Sequence, residues 1–103
     1  MITAIVRYQL PPNISRVACE AHFHKISKDF GAVNGLIRKQ FIWNEGGTAG
    51  GVYQWENIEA AKIFYQGPWL NGILERYGMY PEIEYFNTVA ITDNPGGLVT
   101  IPE

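Results

Sequence analysis

The side chains that could carry chemistry are two histidines, one cysteine and a dense set of aromatic rings. His22 and His24 sit on a stretch with helical periodicity, where each residue turns about 100° from the last. Taking Ile26 as the reference, Cys19, Phe23, Phe30 and Val33 fall within about 60° of it, and His22 lies inside that apolar arc. His24 falls on the opposite side, near Val17 and Lys28. The two imidazoles therefore cannot share a metal ion, and no metal site is expected. Cys19, in the apolar arc, reads as an inert core thiol. His22 has the proton affinity of a general base for a phenol or enol. The competing reading is a histidine at the core edge, tied to a backbone carbonyl.

The aromatic residues form a second candidate set. Phe41, Tyr53 and Trp55 alternate on neighbouring strand-like segments and could face Phe23 and His22. Tyr65, Trp69 and Tyr77 could close the far side. Such a wall would hold a small, flat aromatic ligand, each Tyr and Trp offering one polar tip. Plain core packing is the alternative for any one of these rings. Gly46-Gly47-Thr48-Ala49-Gly50-Gly51 invites a phosphate-loop reading. No Gly-Lys-Ser/Thr follows it and a strand comes next, so it reads as a hairpin turn.

These residues need elements to position them. Residues 2–10, rich in Ile, Val and Tyr, stop at Pro11-Pro12 and form a first strand. A helix is expected from 15 to about 33, ending near Gly31 or Gly35. Residues 36–44 and 50–56 form a β-hairpin around 45–49. Asn57 caps a helix that runs to about Gln66, with Glu59 in its first turn. Gly67-Pro68 breaks that helix and starts a second piece over 68–77, closed by Gly78. The break leaves backbone N–H groups near Trp69 and Leu70 that could meet an anion, unless it is only a packing kink. Residues 82–92 form the last strand, and Asn94-Pro95-Gly96-Gly97 turns the chain into a short tail.

The order β-α-β-β-α-β predicts one α+β domain over 1–103 with ferredoxin-like topology: a four-stranded antiparallel sheet with helices on one face. The other face needs a cover, and a second copy of the same sheet supplies it, giving a homodimer. With the hairpin centred near Gly47, Lys39, Phe41, Trp43, Gly51, Tyr53 and Trp55 share the helix-facing side. Arg38, Gln40, Ile42, Val52, Gln54 and Glu56 share the other, with Arg38 opposite Glu56 as an ion pair. Arg7 is expected on that second side too.

Composition narrows the function. Hydrophobic residues make up 47% and charged residues 17% of 103 positions, which predicts a packed core rather than disorder. The net charge of −2 lacks the basic footprint of a nucleic-acid binder. An RNA-recognition motif shares this topology, but Ala49 and Gly51 stand where its stacking rings belong. A single cysteine implies no internal disulfide and a reducing, cytoplasmic home. No apolar run is long enough to span a bilayer, and no signal peptide opens the chain.

Gly35-Leu36-Ile37-Arg38-Lys39, Glu45, Gly50-Gly51-Val52-Tyr53-Gln54-Trp55-Glu56 and Ala60-Ala61 together resemble the YdhR-type monooxygenase family of the dimeric α/β-barrel superfamily. The resemblance runs from the first strand to about Asn94. It implies a ferredoxin-like subunit, a dimer whose sheets pack into a barrel, and a pocket between sheet and helices. Haem-degrading relatives use an Asn on the first strand, with a later Trp and His. Here that strand carries Arg7, Tyr8 and Gln9, and no His follows His24, so haem degradation is not expected. The reading that results is a cofactor-independent monooxygenase acting on a phenolic or quinol ring, with His22 as base. The alternative is a homodimer of the same fold that binds a small ligand without turnover.

Overall fold

The computed structural model describes residues 1–103. Strand β1 (Ile2–Gln9) ends before Pro11-Pro12, and Ser15 opens helix α1 (Arg16–Ile26), its hydroxyl accepting from the Ala18 N–H at 3.2 Å. α1 is shorter than predicted. The Ser27 hydroxyl donates to the His24 carbonyl at 3.0 Å, and the chain tightens into a 3-10 turn over Ser27–Phe30. Then come β2 (Leu36–Trp43), β3 (Thr48–Trp55), α2 (Ile58–Phe64) and α3 (Pro68–Tyr77). β4 (Glu82–Asn87) is followed by a separate two-stranded hairpin, β5 (Ile91–Asp93) and β6 (Leu98–Thr100). The α2–α3 break falls at Gly67-Pro68 as expected, with Gly67 in the positive-φ region at +67° and Pro68 in the first helical turn.

The four-stranded sheet has the order β2-β3-β1-β4 with every pair antiparallel, and the helices cover one face: an α+β ferredoxin-like fold. The predicted sides hold. Tyr53 and Trp55 are buried under the helices, whereas Arg38, Gln40, Ile42 and Glu56 are exposed. The predicted register does not. Trp43 pairs with Ala49 and Lys39 with Tyr53, so the hairpin centres on Gly46 and not on Gly47. The cause is Asn44, whose side chain accepts from the Thr48 N–H at 3.0 Å while Gly47 takes φ +80°. Arg38 therefore faces Gln54, and the expected Arg38–Glu56 pair does not form. The ion pair on that face joins Arg7 to Glu84 at 3.3 Å.

The last strand is also shorter than predicted. β4 stops pairing near Asn87, where it meets the beginning of β1, and the Thr88 N–H bonds to the Met1 carbonyl at 3.0 Å. Beyond that point the chain has no sheet partner, and β5 and β6 pair with each other. The core lies between sheet and helices. It is built on Ala4, Val6 and Tyr8 of β1, Tyr53 and Trp55 of β3, Cys19 and Phe23 of α1, and Ile73 and Tyr77 of α3. No helix is long and apolar enough to cross a membrane.

Candidate active-site cavity

A cavity of about 550 Å³ opens between the sheet and the helices. β1 supplies Tyr8 and β3 supplies Tyr53. α1 brings His22, Phe23 and Ile26, with Phe30 from the 3-10 turn. α3 brings Trp69, Ile73 and Tyr77, and Phe64 closes the end of α2. Of the residues that the sequence singles out, His22, Phe23, Tyr53, Trp69 and Tyr77 line this space. Phe41, Trp55 and Tyr65 do not. Trp55 is fully buried and donates its indole N–H to the Tyr65 hydroxyl at 3.1 Å. That bond uses the one donor of Trp55 inside the core, so the indole offers nothing to a ligand. Phe41 packs beside the cavity, against Phe23 at 5.2 Å and Phe30 at 5.4 Å between ring centroids.

His22 sits at the edge of the cavity, on the inner side of α1, and His24 is exposed. Burial holds the His22 imidazole below its usual pKa, and the positive charges of Arg76, Lys25 and Lys39 add to the shift. At neutral pH it is therefore a neutral ring able to accept a proton. Cys19 is buried, and burial pushes its thiol up, away from the reactive thiolate.

Four residues with polar or charged ends line the cavity beyond those singled out in the sequence: Tyr8, Lys39, Arg76 and Asp29, the last in the exposed 3-10 turn. Tyr8 stacks on Tyr77 with ring centroids 4.2 Å apart, and their hydroxyls meet at 3.5 Å. Burial and that contact raise the Tyr8 phenol, which stays protonated. Arg76 lies at the rim on α3. Lys39, on the inward side of β2, points its ammonium into a cluster of rings: 3.6 Å from the Phe30 centroid, 3.8 Å from Phe41 and 4.7 Å from Tyr53. Burial pulls Lys39 down to about 7. The negative faces of the three rings work against that shift and favour the charged form. The signal for Lys39 was present in the sequence, as a lone charge on the aromatic side of β2.

Gly51 makes room for this arrangement. A Cβ there would lie 2.8 Å from the Tyr53 ring and 2.9 Å from Lys39 Cε. Any larger residue would displace the side chains that shape this wall.

No family model matches the sequence, and no match is found among curated proteins. Solved structures do match in fold. The NE2512 protein of unknown function from Nitrosomonas europaea superposes with a TM-score of 0.74 at 14% identity, covering 92% of this chain and 95% of its own. SnoaB, a cofactor-independent oxygenase from Streptomyces nogalater, gives 0.62 at 14% identity, covering 84% and 91%. An antibiotic biosynthesis monooxygenase gives 0.66 at 9% identity, covering 86% and 99%. The chain thus shares the ferredoxin-like fold of these proteins, and these identities speak to the fold alone.

Proposed function

We propose that the protein is a cofactor-independent monooxygenase acting on a small phenolic or quinol ring held between sheet and helices. The observation that carries this reading is the cavity of about 550 Å³, walled by aromatic rings with a neutral imidazole at its edge. Its size suits a bicyclic or tricyclic ring system. The fold shared with SnoaB supports the reaction class, and the YdhR-type motif around Gly35 and Gly50-Gly51 supports the subfamily.

In this reaction His22 removes the proton of the ring hydroxyl. The electron-rich phenolate passes one electron to dioxygen, and the two radicals combine to form a carbon–oxygen bond. The O–O bond then breaks. The ring carbon keeps one oxygen as a quinone carbonyl, and the other leaves as water with the hydrogen from that ring carbon and the hydroxyl proton that His22 had taken. The substrate supplies all the electrons, so no flavin, haem or metal is required. Tyr53, Trp69 and Tyr77 orient the ring, and Phe23 and Ile73 keep bulk water away.

The working unit in this reading is a homodimer in a reducing compartment. Ile42 and Phe86 are exposed on the face of the sheet away from the helices, and Val89, Leu98, Val99 and Ile101 are exposed along the segment after β4. Apolar side chains in those places fit burial against a second copy. Light scattering on the purified chain tests this directly, and a monomer at micromolar concentration contradicts it.

The test of the reaction is oxygen uptake with a panel of naphthols, anthrones and hydroquinones. Uptake of one dioxygen per quinone formed, lost in His22→Ala with ligand affinity kept, is the expected result. Tight binding of a ring with no uptake in the wild type favours the non-catalytic binding protein instead.

A further inference from the structure

Lys39 has a charge and no counter-charge. The side-chain ion pairs of the molecule are Arg7–Glu84 and Arg16–Glu20, and Lys39 takes part in neither. Its ammonium makes no side-chain hydrogen bond and lies on the cavity wall, within 4.7 Å of the centroids of three rings. Ring faces hold a cation in place but do not neutralise it. Lys39 is half-buried, a cation drawn partly out of water is costly unless it is paired, and a ligand entering the cavity can supply the missing partner.

We propose that the cavity takes its aromatic ligand as an oxyanion, a phenolate or enolate, whose ionised oxygen is held by the Lys39 ammonium. This deepens the proposed function by naming the ionisation state of the substrate and the residue that reads it. It rests on the same cavity. In turnover His22 accepts the hydroxyl proton and Lys39 stabilises the charge left behind, which is the species that reduces dioxygen. Lys39 sits near neutrality between its two forms, so above neutral pH the bound oxyanion draws a proton from solvent onto the amine. The other ionisable groups lining the cavity are His22 and Asp29 near α1, Tyr8 and Tyr53 on the sheet, and Arg76 and Tyr77 on α3. Arg76 is the one rival for the anion. Replacing each in turn, Arg76→Met and Lys39→Met, tells the two cations apart.

The experiment uses 4-nitrophenol, whose anion is coloured and forms near neutral pH, and 4-nitroanisole, its uncharged methyl ether. Neither needs oxygen, so absence of turnover leaves the result readable. Wild type is expected to bind 4-nitrophenol with the spectrum of the anion, and with affinity that falls as pH rises from about 7 to 9 while 4-nitroanisole affinity stays flat. Lys39→Met should weaken 4-nitrophenol by about tenfold or more, the usual worth of a charge-assisted contact, and change 4-nitroanisole little. Retained binding of 4-nitroanisole also shows that the variant is folded. The wild-type pH series decides the matter if it is not. The proposal is overturned if Lys39→Met binds 4-nitrophenol as the wild type does, or loses both probes equally while a thermal melt shows that it is folded. It is equally overturned if Arg76→Met abolishes binding of the anion and Lys39→Met does not, which assigns it to Arg76.

Discussion

The layer between sheet and helices has two ends of similar composition and opposite character. At the Trp55 end, Tyr53, Trp55, Phe64 and Tyr65 interlock: Trp55 stacks on Tyr53 with planes 5° apart and meets Tyr65 edge-on at 80°. The polar tips of Trp55 and Tyr65 bond each other, and Trp55 is completely buried. At the Lys39 end the same kinds of ring leave a cavity, and the charged groups that face it are unpaired. Aromatic content alone therefore does not mark a binding site. What marks it is a polar group brought into an apolar layer without a partner from the chain itself.

Substitutions at the two ends should behave differently. The largest effect is expected from Trp55→Ala, which empties the packed end and should cost about 3–5 kcal/mol of stability in urea unfolding. A cost below about 1 kcal/mol would mean that this end is as loosely filled as the other.

Lys39→Met should act in the opposite direction, and with pH. The unfolded chain keeps the lysine proton up to its ordinary value of 10.5, whereas the folded chain releases it above about 7. Between those values the unfolded state binds more protons, so wild-type stability rises with pH, by up to about 1.4 kcal/mol per unit. Below about 7 both states are charged and the full cost of burying the ammonium is felt. Lys39→Met should therefore be more stable than wild type at pH 6, and the gap should shrink by pH 9. Thermal melts of both proteins across that range check it. Equal slopes would show that Lys39 is solvated and carries no strain.

The smallest effect belongs to the other side of the sheet. Arg7 and Glu84 are both well exposed, so Arg7→Ala should change stability by less than about 0.5 kcal/mol in melts at matched oligomeric state. A larger loss would mean that this face is covered in solution, and would locate the dimer contact there.

Much of this was legible in the sequence, for reasons that differ by element. The side of the sheet on which Tyr53, Trp55 and Arg38 lie follows from alternation, which survives an error in register. The register itself depends on one side-chain bond from Asn44 to Thr48, and the two glycines nearby disguise where the turn begins. The extent of the last strand depends on where its partner β1 starts, a tertiary fact that residues 82–92 do not contain. In the site, His22 and Phe23 follow from the helical arc of α1. Trp55 and Tyr65 read like cavity residues because periodicity gives a direction and not a depth. Alternation puts Lys39 on the helix-facing side, and only the rings around it, from three separate segments, make it a feature of the cavity.

In this reading an aromatic ligand enters between sheet and helices at the Lys39 end. The most direct measurement is an amide and indole NMR titration of the wild type with 1-naphthol. Saturable shifts are expected at the Trp69 indole N–H and the Gly50 and Gly72 amides, all at the cavity, with the Trp55 indole unmoved. Shifts confined to Gln40, Val52, Gln54 and Phe86 on the opposite face of the sheet would contradict it.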